Sequence, residues 1–393
     1  MAPLFKFFAS LRLTVVLLAL SVVLVFVATL AQTSLGVWGV HEQYFHAFIV
    51  WVTVKGVSLP VFPGGYVVGG ALFVNLVAAH IHRFKLTWRK LGIHLAHAGV
   101  VLLLLGELLS GLFQQEFQLK FNEGDTKNYA ESSRDYELAL IDTTSPDFDD
   151  VVAIPTSMLE KGQPLTLSNS QGQALPFKVI PRAYYPNADL HGPAQPPGEL
   201  PGSQLATTGT GPQLSVTPLP ITYKDDELNF PVASIELAGP DHSFGKWLLS
   251  PMLEMMMPAP QTFTDSAGHI WRLSLRSARE YEPFSLTLIK ASHDIYPGSD
   301  IPKNFSSRVR LKSADGHEDS EKLIYMNAPL RYYGMTFYQQ QMDTPDYKSV
   351  LQVVRNPSWK LPYISCLMVG GGLLFQFSLT LGNFISRRKA AAA

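Results

Sequence analysis

A chain of 393 residues with 47% hydrophobic and only 16% charged side chains leans toward the membrane without being uniformly apolar. Its formal net charge of -1 provides neither a basic field for nucleic acid nor an acidic, solvating arm. The single cysteine, Cys366, excludes an internal disulfide and any Cys-x-x-Cys redox or haem-attachment motif within these residues.

Leu13 to Ala31 is uncharged and long enough at the helical rise to cross a hydrocarbon core of roughly 30 Å. Lys6 and Arg12 precede it. The run is too long for the apolar core of a cleaved signal peptide, and further spans follow. His41 and His46 flank its far end and read as surface or interfacial histidines, with an outer haem contact as the weaker alternative. Phe45 to Val54, "FHAFIVWVTV", is too short to cross and is expected to lie at the interface. Gly64 to Ile81, approached through Pro60 and Pro63, is the second span, and Leu91 to Phe113 the third.

Residues 114–360 hold most of the polar side chains. Trp271, Leu273 and Leu275 alternate with Arg272, Ser274 and Arg276, and Val309 and Leu311 with Arg308, Arg310 and Lys312, the period of half-buried strands. A mainly β domain follows, a sandwich or an open barrel-like sheet. Residues 186–220 are dense in Pro, Gly, Ser and Thr and are expected to form a flexible insert. The methionines from Met252 to Met257 suit apolar gap-filling better than copper or haem ligation. Leu361 to Ile385 is the fourth span, and a basic tail of Arg387, Arg388 and Lys389 closes the 361–393 segment.

The expected fold is therefore four transmembrane α-helices with a large, mainly β extracytoplasmic domain between helices three and four. Lys6, Arg12, Arg83, Lys85, Arg89, Lys90 and the C-terminal basic cluster all fall on one side of such a four-span chain. Both termini are thereby expected in the cytoplasm, with the β domain outside the cytoplasmic membrane.

Four histidines collect near the cytoplasmic ends of spans two and three: His80, His82, His94 and His97. At 1.5 Å per residue, His94 lies ~5 Å and His97 ~9 Å below the inner surface. Polar side chains are costly inside a span, and neutral imidazole ligates haem iron, zinc or copper. His94 and His97, at i and i+3, share a helix face, so only one of them can serve a flat porphyrin and the second axial ligand must come from elsewhere. His97, deeper and flanked by Ala96, Ala98 and Gly99, is the preferred ligand, with His94 second. Glu107 lies near the opposite surface, where a carboxylate reaches water, and is assigned no chemistry. No phosphate loop, nucleophile elbow or His-Glu-x-x-His is present. The glycines of "VVGGAL" and "MVGGGLLF" read as close helix packing.

Several strings resemble the ResB (also called CcsB) family of cytochrome c biogenesis proteins: "SLRLTVVLLAL…ATLAQ", "WRKLGIHLAHAGVVLLLLGELLSGLF", "YPGSDIPKNFSSRVRL", "NAPLRYYGMTFYQQQMD" and "VLQVVRNPSWKLPYISCLMVGGGLLFQF". The most specific is the run from Pro329 to Gln339; residues 130–265 match loosely. The resemblance implies a subunit of the system II route that, with a CcsA-like multi-span partner, binds haem b as cargo and helps carry it across the membrane to apocytochrome c. It implies an accessory subunit of a synthetase complex more than an enzyme in its own right. The family's membrane histidine falls in "HLAH", where His97 matches best as axial ligand of haem iron, followed by His94. Thiol reduction would belong to a separate partner. The partner family's tryptophan-rich motif is absent, and the chain is short for the family. A scaffold that binds no haem and a small-molecule transporter are the alternatives, the transporter disfavoured because no internal repeat is visible.

Overall fold

The computed structural model describes residues 3–54, 56–83, 87–224, 227–256, 260–298 and 302–392. Lys85 of the expected basic turn, Met257 and residues 299–301 of one ResB-like string lie outside them. Two compact units emerge, one of residues 1–115, 223–225 and 355–393, the other of 116–222 and 226–354.

The first unit begins with α1 (Pro3–Phe8), α2 (Leu11–Val40), a hairpin of β1 (Ile49–Val54) and β2 (Val57–Pro63), then α3 (Gly65–Arg83) and α4 (Leu91–Phe113). The β-rich part runs β3 (Gln115–Phe121), β4 (Thr126–Asp142), β5 (Asp150–Pro155), α5 (Thr156–Glu160), β6 (Lys178–Tyr185), β7 (Ala188–His191), β8 (Leu200–Pro201), α6 (Gly202–Leu205) and β9 (Ser215–Pro218). It continues with β10 (Val232–Ala238), β11 (Ser243–Leu249), α7 (Pro251–Met256), β12 (Gln261–Thr264), β13 (Ile270–Ile295), β14 (Pro302–Ser313), β15 (Asp319–Tyr325), β16 (Leu330–Tyr332), β17 (Met335–Met342) and β18 (Ser349–Arg355). The last helix, α8 (Leu361–Ala392), returns to the first unit.

Four helical stretches are long and apolar enough to cross a membrane: Leu11–Phe45, Gly65–His82, Trp88–Phe113 and Leu361–Ala391. The first is longer than expected and is broken at Gly36, whose φ of 75° suits only glycine. A Cβ there would lie 2.6 Å from Lys224 Cα, because the segment around Tyr223 folds back onto the first unit at this point. Ser10 caps α2 by accepting from Leu13 N at 3.2 Å. Asn75, buried in α3, ties the N-terminal helices down. It accepts from Thr14 Oγ1 at 2.7 Å and donates to Phe8 O at 2.6 Å and Ser10 O at 3.2 Å. In an apolar medium each such bond replaces a group that water cannot satisfy.

Helices α4 and α8 approach through glycine. Gly92, Gly99 and Gly106 repeat every seventh position and so share one helix face. A Cβ on Gly92 would sit 2.5 Å from Gly372 O, on Gly99 2.9 Å from Ser365 O, and on Gly106 3.0 Å from Leu361 Cβ. Small residues let helix backbones close up where lipid gives no hydrophobic drive to associate. The two glycine-rich patches behave differently from the packing expected of them. Gly372 is in the contact, but Gly69, Gly70, Gly370 and Gly371 have open space where a side chain would go.

The segment 45–54 is also different in kind from a simple interfacial stretch. Phe45 ends a π-helical turn, His41–Phe45, and the β-branched run from Ile49 pairs as β1 with β2, Val54 opposite Val57.

In the second unit two β bodies share the long strands β4 and β13, whose register runs from Trp271 opposite Asp142 to Thr287 opposite Thr126. The first body packs β4, β5 and β13 against β6, β10 and β11 around Leu138, Leu140, Ile235, Leu237 and Trp271. In the second body the strand order is β15-β14-β13-β4-β3-β18-β17-β16, with Phe121, Leu286, Val309, Leu311 and Phe337 inside. Its terminal strands β15 and β16 are consecutive in the chain, joined by a turn in which Ala328 N–H donates to Tyr325 O at 3.0 Å, so the sheet curls into a barrel-like body. Residues 186–220, expected as a flexible insert, form β7, β8, α6 and β9. Leu190, Leu214 and Val216 bury with Leu248 and Leu253 as a third small core, which is why so Pro- and Gly-rich a stretch takes defined structure.

Candidate functional site

The short connection between α3 and α4 sets the last turn of α3 beside the first two turns of α4, and three imidazoles meet there. His80 faces His94 edge-on with ring centroids 5.1 Å apart, and His97 at 6.0 Å. His82, on the same helix, instead packs its ring against Phe5 of α1 at 6.0 Å. The structure thus gathers three of the four expected histidines and assigns the fourth to packing.

His97 has a defined tautomer. Its Nδ1 lies 2.8 Å from the Ile93 carbonyl, which can only accept, so Nδ1 is the donor and, in the neutral ring, Nε2 is the nitrogen with a lone pair. A backbone carbonyl holding one ring nitrogen is the arrangement that orients metal-bound histidines and raises their basicity. His97 is exposed on the helix surface and His94 is half-buried, so a ligand reaches His97 first. Gly92 and Gly99 place the opposite face of α4 hard against α8, which leaves the histidine face toward α3.

The donor set limits what the cluster can hold. Among the described residues no group of three or more His, Cys, Asp or Glu side chains is placed to hold a metal ion, so the trio does not form the closed tetrahedral site of a bare zinc ion. A porphyrin brings its own equatorial nitrogens and asks for only one or two imidazoles from protein, a donor set this helix face can supply.

Sequence reasoning undervalued His80, whose ring touches both α4 histidines. It also passed over Asn75, for which the signal was present: one amide in an otherwise apolar span is a polar group that must find partners. Of the methionine string, Met252 packs on the third core as gap-filling expects, whereas Met255 and Met256 are exposed and fill no gap.

The second unit carries its own charged cluster where the two β bodies meet. Arg276 Nε donates to Glu137 Oε1 at 3.0 Å and Arg279 Nε to Glu131 Oε1 at 3.1 Å. The Arg279 guanidinium lies 4.1 Å from the Tyr129 ring centroid, and Lys127 Nζ 5.4 Å from it. Burial holds the Lys127 ammonium below its ordinary value and pushes the Tyr129 phenol up. These pairs span β4 and β13 at the register shift after Ser277, where ladder bonds are interrupted, and act as cross-strand ties. At the far end of the same strands, His269 Nδ1–H donates to Asp142 Oδ2 at 2.7 Å, which raises the imidazole above its usual value.

The run from Pro329 to Gln339 is the hairpin β16–β17. Tyr333 and Gly334 take φ of 49° and 77° at its two-residue turn, and Met335 and Phe337 point into the barrel-like core.

Residues 255–350 match the model of the ResB-like family. Protein NrfI of Wolinella succinogenes is 31% identical over 93 residues, which covers 24% of this chain and 10% of NrfI. The chain thus matches about a tenth of that relative's length. The family match lies wholly in the second unit and includes the β16–β17 hairpin; it does not extend to His80, His94 or His97.

Proposed function

We propose, on the premise that the chain is a ResB-like protein over residues 255–350, that it serves cytochrome c biogenesis by binding haem b as cargo in the membrane. A CcsA-like multi-span partner would complete the path to apocytochrome c. The observation that carries this reading is the His80–His94–His97 cluster, with His97 Nδ1 committed to Ile93 O and Nε2 left to meet iron. His97 supplies one axial ligand. Its exposure on the bundle surface suits a second ligand from the partner, since His94 lies on the same face and cannot reach the other side of the macrocycle.

Charge supports the orientation. Arg89 and Lys90 sit at the start of α4 and Arg387 and Arg388 near the end of α8, and the positive-inside bias favours a cytoplasmic side for these ends and for the histidine trio. The β unit then lies outside, where an apocytochrome is met. In this arrangement the chain holds and orients haem; bond formation to the apocytochrome falls to the partner complex.

The test is co-expression with a CcsA-like partner, followed by absorption spectra of the purified pair. His97→Ala is expected to lose most of the Soret absorbance, and added imidazole to restore part of it. A scaffold that binds no haem predicts identical colour in wild type and in a variant lacking His80, His94 and His97, and that result would end the haem reading.

A further inference from the structure

Between the first two spans the sequence from Phe48 to Pro63 has a single charged residue, Lys55, set between two apolar runs. These runs form the hairpin β1–β2, with Ile49 opposite Pro63 and Val52 opposite Leu59. The hairpin is a sheet of two strands, and no third strand pairs with it among the described residues. A two-stranded hairpin is at best marginal in water, and stability asks for an apolar face that is covered. This one has two such faces. Side chains alternate along β1, so Ile49 and Trp51 lie on one face and Val52, with Leu59 and Val57, on the other. All five are exposed, none of them less than 38% open. At the base Val50 is buried, and Gly64 N–H donates to Phe48 O at 2.9 Å.

The neighbourhood identifies what covers them. The first span ends at Phe45, β1 starts four residues later, and β2 runs almost directly into α3. The hairpin therefore leaves and rejoins the bundle at one level, the end where α2 finishes and α3 begins. Trp38 and Tyr66 stand at that end of α2 and α3. On α8, whose Leu361 meets Gly106 in the last turns of α4, Trp359 and Tyr363 pack at 6.2 Å with Lys360 Nζ 5.3 Å from the Trp359 ring centroid. Tryptophan and tyrosine collect at the headgroup level of a bilayer, and a lysine stem beside them carries its charge to the phosphates. Trp51 joins this set from the hairpin. A sheet that docks on protein commonly keeps its second face polar for water. Here both faces are apolar, as on the open surface of α2, where Val22, Phe26 and Leu30 are exposed. Backbone groups on the two free edges exclude the hydrocarbon centre, where nothing would satisfy them. Pro60 and Pro63 remove two of the donors of β2, and the headgroup boundary brings water to the rest.

We infer that the β1–β2 hairpin is a lipid-binding element, seated in the boundary between headgroups and acyl chains of the leaflet where α2 ends and α3 begins, with phospholipid against both of its faces. Interfacial anchors set the depth and tilt of a span. Because the hairpin joins α2 to α3 with almost no slack, its hold on the interface fixes both helices at once. The inference uses the membrane spans and not the haem reading, so either can fail without the other.

The chain's single thiol makes the test direct. Cys366→Ser clears the background, and Ile49→Cys and Leu59→Cys then place one nitroxide label on each face, with Val57→Cys near the turn. All three side chains are exposed, so the labels displace no packing. Val22→Cys on the open surface of α2 and Asp241→Cys in the β unit supply the lipid and water references. The full-length chain is reconstituted without any partner in phosphatidylcholine nanodiscs, and labelled chains that keep the wild-type unfolding midpoint are compared. Power-saturation electron paramagnetic resonance reads collisions with oxygen, which concentrates in lipid, and with a neutral nickel chelate, which stays in water. At all three hairpin positions nickel collisions are expected several-fold below those at Asp241→Cys, with oxygen collisions above them and approaching those at Val22→Cys. Nickel access on either face equal to that at Asp241→Cys overturns the inference. Exclusion of both reagents from one face overturns it too, since that face would then lie against protein, a second copy of the chain included.

Discussion

The glycine seam between α4 and α8 gives the sharpest test of the bundle. In Gly92→Ala the new methyl would lie 2.5 Å from Gly372 O and 2.9 Å from both Gln376 N and Cβ, against an ordinary contact of 3.4 Å or more. Two of those three atoms are backbone, so no rotamer relieves the overlap and α8 must back away by about 0.9 Å at this point, the shortfall against ordinary contact. Overpacking of this kind costs about 1–3 kcal/mol, while alanine's better helix propensity returns up to about 1 kcal/mol. A net loss of about 1–2 kcal/mol is expected. Gly370→Ala on α8 is the matched control: nothing lies within 4 Å of its Cβ, so only the propensity gain remains and its midpoint should hold or rise. Thermal unfolding of the detergent-solubilised chain separates them, with Gly92→Ala lower by several degrees. Because α4 also carries His94 and His97, haem occupancy should fall with it. Equal midpoints for the two variants would refute the close packing on which the position of the histidines depends.

Other outcomes follow from single contacts. Asn75→Leu removes the amide that holds Thr14, Phe8 and Ser10, and about 1–3 kcal/mol of bundle stability should go with it, read as earlier protease release of α1. His269 should titrate above its ordinary value by NMR, and Asp142→Asn should bring it down. The pair's stabilisation is then fully present below the imidazole's unfolded value and fades as pH rises through the elevated folded one. Tyr333→Asn should keep or raise the unfolding midpoint, because asparagine tolerates the φ of 49° better than tyrosine and the ring is 64% exposed; lost function without lost stability would mark Tyr333 as a contact residue.

What the sequence made legible follows from the range of the forces involved. The four apolar helices were readable because hydrocarbon demands an uncharged run of fixed length, a rule that acts residue by residue along the chain. The alternation around Trp271 and Val309 was readable for the same reason, since a sheet with one buried face writes a period of two. Residues 186–220 misled because Pro and Gly report local backbone freedom, whereas Leu190, Leu214 and Val216 take their order from Leu248 and Leu253, far along the chain. No local pattern records that partnership.

The histidines show the same divide at closer range. Their depth could be counted from span ends, but not which rings would touch. His80 meets His94 and His97 because α4, held against α8 by three glycines, turns its opposite face toward α3. His97's tautomer depends on a carbonyl four residues back that is visible only once the helix is built. His41 and His46 looked unrelated because an α-helix would separate them; one inserted residue's worth of helical slack, the π-turn, reverses that. The same side chain is therefore solitary or paired according to a backbone event that leaves no compositional trace. Deleting Gln43 should replace the π-turn by a regular helical one and leave the two histidines at i and i+4, ~40° apart on one face. A shortened turn therefore keeps the rings neighbours, and only a further inserted residue should part them.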